Sequence, residues 1–536
     1  MKKFTFLFGL ILIFASASTA QPCLPNGIEF QTQEAIDNFQ IYQPNCTQIE
    51  GDVIITGVEG EITNLFGLSV LTAVDGNLII GDEDHSVLAN SLEGLNNITS
   101  IGGNLEIYGN PSLTSLTGLN GLVVIDGNLI IGGSDDELGN TAIPNLNGLE
   151  NLTTIGGDLH IEGNTQLSSI AGMDNITNIS GSIEIMNNDA LINLEGLNGF
   201  SSITGNLWID DNDALVNMQG LNNIESVEGD LIISQNDNLI NLTGLQNLAS
   251  INSSLYIGGY EFGGSGDLSS LQGLENLSTI GGDLNIQLND GLENFVGLNN
   301  LTSVGGYVAI EECYRLASLE GLNNLTSIGG GLWFESNDLI NFNGLENLTE
   351  IGGYLGIQGN DKLITLDGLS NLTSIGGFLE ISWNYLLINI EGIKNIAAST
   401  VTYLDISKND SLSTCHVKSI CDYLATPNTE VEIHDNKAGC NSQEEVEEGC
   451  ESADVEENTS IRMPWVYPNP ATDEFYIFNN SGQPIQQIEL INHQGNPVLF
   501  NSNSNSRFDV SNFPKGIYYL KITQGGLQNV EKLVVQ

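Results

Sequence analysis

A unit of about 24 residues recurs along most of this chain of 536 residues. Ile101–Leu119 reads IGGNLEIYGNPSLTSLTGL, and variants of it begin at Thr154, Ser202, Glu350 and Ser374. A fixed repeat of this length is typical of solenoid proteins. Each unit is too short to bury its own apolar side chains and does so only by stacking on its neighbours. The repeat therefore predicts a stack of coils in place of a single globular core.

Within a unit, the apolar residues indicate strands and turns. Leu105 and Ile107 alternate with polar residues, which is typical of a strand with one buried face. The leucines that follow, Leu113, Leu116 and Leu119, are separated by Gly, Asn, Ser and Thr. These separators favour turns, and helix formers are scarce among them. We therefore expect the far side of each coil to consist of short strands and turns.

Two columns of asparagine mark the corners of the coils. The first column follows the strand and comprises Asn110, Asn164, Asn188, Asn212, Asn236, Asn289, Asn337, Asn360, Asn384 and Asn409. The second follows the repeat glycine and comprises Asn97, Asn151, Asn175, Asn223, Asn247, Asn276, Asn300, Asn324, Asn347, Asn371 and Asn395. An amide at a tight corner can bond backbone groups that the bend leaves unpaired. The spacing therefore predicts two hydrogen-bonded corners in each coil, and the sequons in the second column are products of the repeat.

These motifs resemble two known families. The unit L-x-I-x-x-N-x-x-L resembles the leucine-rich repeat, and the recurring I-G-G-x-L-x-I with the opening segment 45–55 resembles the receptor L-domain. The resemblance covers about residues 45–410 and implies a right-handed β-helix. We therefore predict an all-β protein, with a right-handed parallel β-solenoid of about fifteen coils at residues 51–410 and a small antiparallel β-sandwich after it. A fold of this kind names no ligand by itself.

The start of the chain and its charge restrict its location and partners. Lys2 and Lys3 precede an apolar run that is too short to span a bilayer, and small residues end at Ala20. This pattern predicts a signal peptide at residues 1–20 and an exported protein with no transmembrane segment. The net charge is −54, with 13 Lys and Arg against 67 Asp and Glu. Such a surface repels nucleic acid and anionic lipid, so we expect neither as a partner.

The cysteine positions indicate that disulfides stabilise both ends of the solenoid. We expect an N-terminal cap at residues 21–50 and a C-terminal cap at residues 411–450, followed by an acidic linker at residues 451–464. The cap cysteines suit disulfides in an oxidising compartment better than zinc. We predict Cys23–Cys46 and, of the three connectivities open to the other four, Cys415–Cys440 and Cys421–Cys450. A short helix is expected at residues 416–424.

Cys313 is the seventh cysteine and occupies a repeat position. It stands where ten other coils have the corner asparagine, and leucine-rich repeats accept Asn or Cys there. We therefore predict a buried free thiol.

Three coils carry inserts, at about residues 81–87, 132–142 and 258–267, all just after the first strand. The first two are acidic and contain Asp82 and Asp84, and Asp135 and Asp136. Clustered carboxylates suit Ca²⁺, but none of these inserts matches the EF-hand loop, and ordinary solvated loops are the preferred explanation. No other cofactor is expected.

The last segment, residues 465–536, changes character and reads as short alternating strands. It strongly resembles the type A C-terminal sorting domain of the type IX secretion system. The residues that carry this resemblance are Tyr467, Pro468, Asn469, Pro470, Gly516, Tyr518 and Lys532. The resemblance implies a Gram-negative source, the type IX machinery as a partner, passage across the outer membrane, and removal of the domain with attachment of the passenger to the cell surface.

One outward column becomes aromatic in the later coils. The residue before the first strand leucine is polar up to Asp283, and the column then continues as Tyr307, Gly331, Tyr354, Phe378 and Tyr403. Trp333 lies in the adjacent outward column. At one strand spacing per coil, the rings form a patch roughly 20 Å long. They offer flat surfaces to a sugar or a protein partner, although stacked rings also stabilise parallel strands without any ligand.

No catalytic motif is present. The five histidines are scattered, and neither a nucleophile elbow nor a metalloprotease motif occurs. We therefore expect a non-enzymatic recognition or adhesion protein at the cell surface, or secreted, that binds protein or glycan through the solenoid flank. The alternatives are a structural surface layer or spacer and, less expected, a glycan-active enzyme.

Overall fold

A computed structural model describes residues 22–57, 62–81, 89–133, 138–258, 265, 268–427, 429–456, 465–479, 485–492, 497–501, 507–524 and 527–536. The chain divides into two compact units, residues 1–450 and residues 451–536. The first unit is a parallel β-solenoid of about sixteen turns, as the repeat predicts. The signal peptide and the linker residues 457–464 lie outside the described residues.

One long parallel sheet runs the length of the solenoid. Equivalent residues pair from coil to coil, as Leu207 does with Leu231 and Ile209 with Ile233. These apolar side chains are fully buried, and the residues between them point outward. The strands are Ile28–Phe30, Val53–Ile55, Leu78–Ile80, Leu105–Ile107, Leu129–Gly132, Leu159–Glu162, Ile183–Met186, Leu207–Asp210, Leu231–Ser234, Leu255–Ile257, Leu284–Gln287, Val308–Glu311, Leu332–Glu335, Leu355–Gln358, Leu379–Ser382, Tyr403–Ser407 and Glu430–His434.

A second side of each coil is a strand of only two residues. These strands form one sheet of seven and another of eight, so the expectation of strands and turns is confirmed. The first sheet contains Pro22–Cys23, Gln48–Ile49, Ala73–Val74, Ser100–Ile101, Val124–Ile125, Thr154–Ile155 and Asn178–Ile179. The second contains Ser202–Ile203, Ser226–Val227, Ser250–Ile251, Thr279–Ile280, Ser303–Val304, Ser327–Ile328, Glu350–Ile351 and Ser374–Ile375.

The corner asparagines of the first column form a buried hydrogen-bonded ladder. Asn212 donates from Nδ2 to the carbonyls of Asp210 and Ile185, at 2.8 and 2.9 Å. Its Oδ1 accepts the backbone N–H of Asn188 at 3.3 Å. The side chain is completely buried, so it satisfies backbone groups that water cannot reach.

The side chains of the second column are exposed, and each makes one hydrogen bond to the preceding coil. Asn223 donates from Nδ2 to the carbonyl of Asn198 in the preceding coil, at 2.7 Å. Asn151 and Asn276 make the same bond to Asn120 and Gln246. Both predicted corners therefore exist, and only the first is shielded from solvent.

The predicted caps are terminal coils of the solenoid itself. Ile28–Phe30 pairs with Val53–Ile55, and Glu430–His434 pairs with Tyr403–Ser407. The amide ladder continues past the predicted boundary at residue 410, because Asn436 Oδ1 accepts the N–H of Asn409 at 2.9 Å. Helices pack at these ends: Gln33–Asp37, Phe39–Tyr42, Lys418–Leu424 and Gln443–Glu456, with 3₁₀ turns at Phe66–Leu68, Glu391–Ile393 and Ala398–Thr400.

Two boundaries differ from the expectation. The short helix predicted at 416–424 begins at Lys418. The helix Gln443–Glu456 extends into the segment expected to be a linker from residue 451. Its acidic residues are good helix formers, and two of them stand in its first turn, where the helix dipole favours negative charge.

The second unit is antiparallel, as predicted for a small β-sandwich. Its first sheet has Trp465–Tyr467, Glu474–Phe478 and Arg507–Asp509, and its second has Ile485–Asn492, Pro497–Asn501, Gly516–Gln524 and Leu527–Val535. Phe475, Leu490 and Leu520 lie in its own buried core.

Candidate aromatic site on the long sheet

The outward residue before each strand of the long sheet forms a third ladder in the early coils. Its side-chain oxygen accepts the backbone N–H of the equivalent residue in the next coil, at 2.7 to 3.0 Å. Asn104 and Asn128 are one such pair. The last bond runs from the N–H of Tyr307 to Asp283 Oδ1, at 2.8 Å. A tyrosine ring has no acceptor in that position, so the polar ladder ends where the aromatic column begins.

Three of the five predicted aromatic residues lie together on the outer face of the long sheet. Tyr354 and Phe378 stack, with ring centroids 4.6 Å apart and ring planes within 2°. Trp333 packs edge-on against both, at 6.0 Å from Tyr354 and 6.5 Å from Phe378. All three side chains are half-buried. We call Trp333, Tyr354 and Phe378 the ring cluster.

Two glycines make room for this cluster. A Cβ added at Gly331 would lie 2.5 Å from Cζ of Tyr354, and one added at Gly356 would lie 2.0 Å from Cε3 of Trp333. Each ring therefore covers the backbone of a neighbouring strand where only glycine leaves space. Because Tyr354 lies over Gly331 and also stacks on Phe378, both of its faces are covered. Trp333 rests over Gly356 and meets the other two rings at 78° and 76°.

The other two predicted residues do not join the cluster. Tyr307 is separated from Tyr354 by Gly331, and burial raises the pKa of its hydroxyl although a hydrogen bond from Asn285 opposes this. Burial and the charges of Asp405 and Glu432 raise the pKa of Tyr403 to about 12. Neither ring packs against the cluster among the described residues. Ring contacts therefore join three of the five predicted residues, and the patch as a binding surface stays a prediction.

Carboxylates from adjacent strands surround the ring cluster. Trp333 donates from Nε1 to Glu335 Oε2 at 2.9 Å, and Gln358 donates from Nε2 to Glu335 Oε1 at 3.5 Å. Glu311 is the register partner of Glu335 on the preceding strand. Glu380 is the register partner of Gly356, on the following strand.

The two outer carboxylates of this group resist ionisation. Burial is the main cause that raises the pKa of Glu311, and the charges of Glu335 and Glu312 add to it. Burial likewise raises the pKa of Glu380, with contributions from Asp405 and Glu335. The carboxylates therefore repel one another on a partly desolvated surface.

A second polar cluster on the same sheet was missed from the sequence. His160 lies between two carboxylates, with Nε2 2.6 Å from Glu162 and Nδ1 3.0 Å from Glu184. Burial lowers the pKa of His160, but the hydrogen bonds and charges of both glutamates outweigh it and raise the pKa to about 9. The imidazole is therefore a cation at neutral pH. Residues 160 and 162 lie on the same face of a strand, and residue 184 follows residue 160 by one repeat. The repeat spacing therefore indicates that the three side chains are neighbours.

This histidine cluster lines an open groove of about 590 Å³, together with Tyr108, Ile130 and Leu138. Among the residues that the structure describes, no group of three or more His, Cys, Asp or Glu side chains is arranged to hold a metal ion. The proposed calcium ligands Asp82, Asp84, Asp135 and Asp136 lie outside the described residues, so calcium binding there stays a prediction.

The cysteines occupy the expected positions. Cys23 pairs with Cys46, Cys415 with Cys440, and Cys421 with Cys450, with Cα atoms 5.6, 5.5 and 5.6 Å apart. This leaves none of the four cap cysteines for zinc. Cys313 is free and completely buried. Burial raises the pKa of its thiol to about 12, so it is neutral and unreactive.

In the C-terminal unit, the motif residues tie the first loop to the last strand. Asn469 Nδ2 donates to the carbonyl of Lys532, and Asn469 Oδ1 accepts the N–H of Val534 at 2.8 Å. The peptide bonds before Pro468 and Pro470 are cis. Tyr518 is buried and donates from its hydroxyl to the carbonyl of Pro514 at 2.7 Å. Gly516 begins the same strand, and a Cβ there would meet nothing within 4 Å.

Comparison with known proteins agrees with this division. Residues 465–536 match the family model of the secretion system C-terminal sorting domain. Residues 71–134 match the family model of the receptor L domain. No curated protein matches the chain with significant similarity. Among the described residues, no helix is both long and apolar enough to cross a membrane. The chain therefore joins a β-solenoid similar to the receptor L domain to a C-terminal sorting domain of the type IX secretion system, which indicates export across the outer membrane to the cell surface or the medium.

Proposed function

We propose that the exported solenoid is a recognition or adhesion protein that binds a protein or glycan ligand through the long sheet at the ring cluster. The observation that carries this proposal is the replacement of the polar ladder by rings. In the early coils each outward Asn, Asp or Ser accepts a backbone hydrogen bond from the next coil. Beyond Tyr307 the column no longer makes these hydrogen bonds and instead presents aromatic rings. Departures from a repeat's own pattern that cost local bonds are typical of functional sites.

The two alternatives are less well supported. A pure spacer has no need for three half-buried rings on successive coils, two of which lie over glycines. An enzyme would use the groove at His160, yet Glu162 and Glu184 are both engaged by the imidazolium. Carboxylates that share one cation are poorly placed to act as a separate acid and base. Ring surfaces of this kind are instead common anchors in binding interfaces.

The test is a triple variant, Trp333→Ser, Tyr354→Asn and Phe378→Ser. Adhesion of cells that display it, or its binding on a glycan array and to candidate protein ligands, should be abolished. The melting temperature should fall by no more than a few degrees, because the rings lie outside the buried core. A matched control is Trp383→Ser with Tyr385→Asn, which removes an exposed aromatic pair elsewhere on the coil.

The control variant should bind like the wild type. If the triple variant binds normally, the ligand contacts another surface. If it unfolds, the rings are structural and the proposal is wrong.

A further inference from the structure

We propose that the ring cluster receives a cationic side chain, an arginine or lysine on a basic segment of a partner protein. This inference rests on the proposed function and names the chemistry of the ligand at the same site. Its basis is the combination of a half-buried indole, that of Trp333, with three surrounding carboxylates. A cation over a tryptophan ring is attracted by the ring's negative face, and the attraction is strongest when the site is partly dry.

Trp333 is the ring of the cluster that suits this contact. Both faces of Tyr354 are covered, by Gly331 and by Phe378, so it offers only its edge. Trp333 lies over Gly356, is nearly perpendicular to the other two rings, and is only half-buried. Its indole N–H already donates a hydrogen bond to Glu335. Donation to an anion enriches the indole ring in electron density, which strengthens its attraction for a cation.

No cationic side chain lies on the strands that carry these carboxylates. Glu311 and Glu335 are in register on adjacent strands, and Glu380 lies beyond Gly356. The five strands from Leu284–Gln287 to Leu379–Ser382 contain no Lys, Arg or His. Burial and mutual repulsion raise the pKa of Glu311 and of Glu380. An incoming cation relieves this repulsion, whereas a neutral sugar does not.

The same solenoid already contains a contact of this type. Lys408 Nζ lies 4.2 Å from the ring centroid of Trp383. That pair shows that an indole on the solenoid can hold an ammonium group when a cation lies near it. Trp333 has the ring and the carboxylates, and the partner supplies the cation. A glycan platform would instead need ring faces open to solvent, and both faces of Tyr354 are covered.

The experiment measures binding of two labelled peptides to the purified full chain. One peptide carries two arginines, and the other carries citrulline, a neutral side chain of the same shape, in their place. We expect the arginine peptide to bind about tenfold more tightly than the citrulline peptide. The variant Glu311→Gln, Glu335→Gln and Glu380→Gln should lower affinity for the arginine peptide by a similar factor.

Non-specific attraction to a chain of charge −54 is tested with a matched variant. Asp189→Asn, Asp213→Asn and Asp237→Asn removes the same number of carboxylates from the column that follows the buried corner asparagines. It should bind the arginine peptide as the wild type does. An equal loss in this control would overturn the inference, and so would equally tight binding of the citrulline peptide or of maltohexaose.

The adhesion assay separates this inference from the proposed function. If the ring variant loses adhesion but the triple glutamine variant adheres normally, recognition by the rings stands and the cationic ligand is wrong. If the ring variant adheres normally, both are wrong.

Discussion

Tyr354 and Phe378 lie face to face at 4.6 Å, almost the spacing of the strands that carry them. Two rings at equivalent positions of adjacent coils can therefore stack without bending the backbone. Tyr354 is held on its other face by Gly331, so the stack is fixed from both sides. The arrangement makes Tyr354 a rigid centre of the ring cluster.

Substitution of Gly331 should displace that ring. Gly331→Ala places a methyl group against Tyr354, and we expect a loss of about 1 kcal/mol in the free energy of unfolding. The clash requires the ring, so Gly331→Ala should cost little in a Tyr354→Ala background. Urea denaturation of the two single variants and the double variant gives this coupling. Additive effects would show that Gly331 is needed for another reason.

The two asparagine columns should contribute differently to the free energy of unfolding. Asn212→Ala leaves two carbonyls and one N–H unpaired in a dry corner, and we expect a loss of about 3 kcal/mol. Asn223→Ala removes one exposed bond and should cost less than about 1 kcal/mol. Thermal unfolding of the two variants makes the comparison. Equal losses would mean that burial does not control the strength of the ladder.

Cys313 interrupts the amide ladder, and an asparagine in its place should restore the missing hydrogen bonds. Its Sγ lies 3.5 Å from the carbonyl of Glu311 and 3.8 Å from that of Ile286, where an amide would donate. Cys313→Asn should therefore raise the free energy of unfolding by about 1 kcal/mol. Cys313→Ala should lower it. A less stable asparagine variant would show that the coil has adapted its shape to sulfur.

The His160 cluster should make the free energy of unfolding decrease at alkaline pH. The pKa of His160 is raised from 6.5 to about 9, so the stabilisation by its charged form is complete below about pH 6.5 and is lost as the pH rises through 9. After allowance for solvent screening, His160→Gln should cost about 2 kcal/mol at pH 6 and little at pH 10. Urea denaturation across this range checks it. Glu184→Gln should move the loss to lower pH, and a pH-independent difference would contradict the charged pairing.

The mature protein should lack the sorting domain. The sequence predicts a new C-terminus between Glu451 and Pro464, in an acidic segment between the stapled coil and the sandwich. Because the helix continues to Glu456, and helical backbone resists proteases, we expect the cut after that residue. The intact mass of the surface-associated form gives the position. A mass that includes Gln536 would show that the domain is retained.

The repeat allowed most of the fold to be predicted, because its period places every buried side chain. Asn212 was assigned to a corner and Leu207 to the core from spacing alone. The aromatic column was also visible, but the sequence could not show that Gly331 and Gly356 let the rings lie over the backbone. That depends on side-chain directions across three coils. It also left Tyr307 and Tyr403 in a patch that they do not join.

The histidine cluster and the terminal coils were missed for different reasons. Glu184 follows His160 by one repeat, so the contact was present in the period but was not sought. The coil of Glu430–His434 has no glycine-leucine pair, and only Asn436 shows that the ladder continues. A repeat that has lost its consensus residues can keep its hydrogen bonds.

The buried amide ladder makes neighbouring coils interchangeable parts. Each corner asparagine offers the coil before it the same acceptor and takes the same carbonyl, whatever the rest of the coil contains. Deleting or duplicating one repeat between two coils that both carry this asparagine should therefore leave the amide ladder intact. The ring cluster could then be moved along the stack in steps of about 4.8 Å without redesign. In this architecture the number of repeats before a surface feature sets its height along the stack.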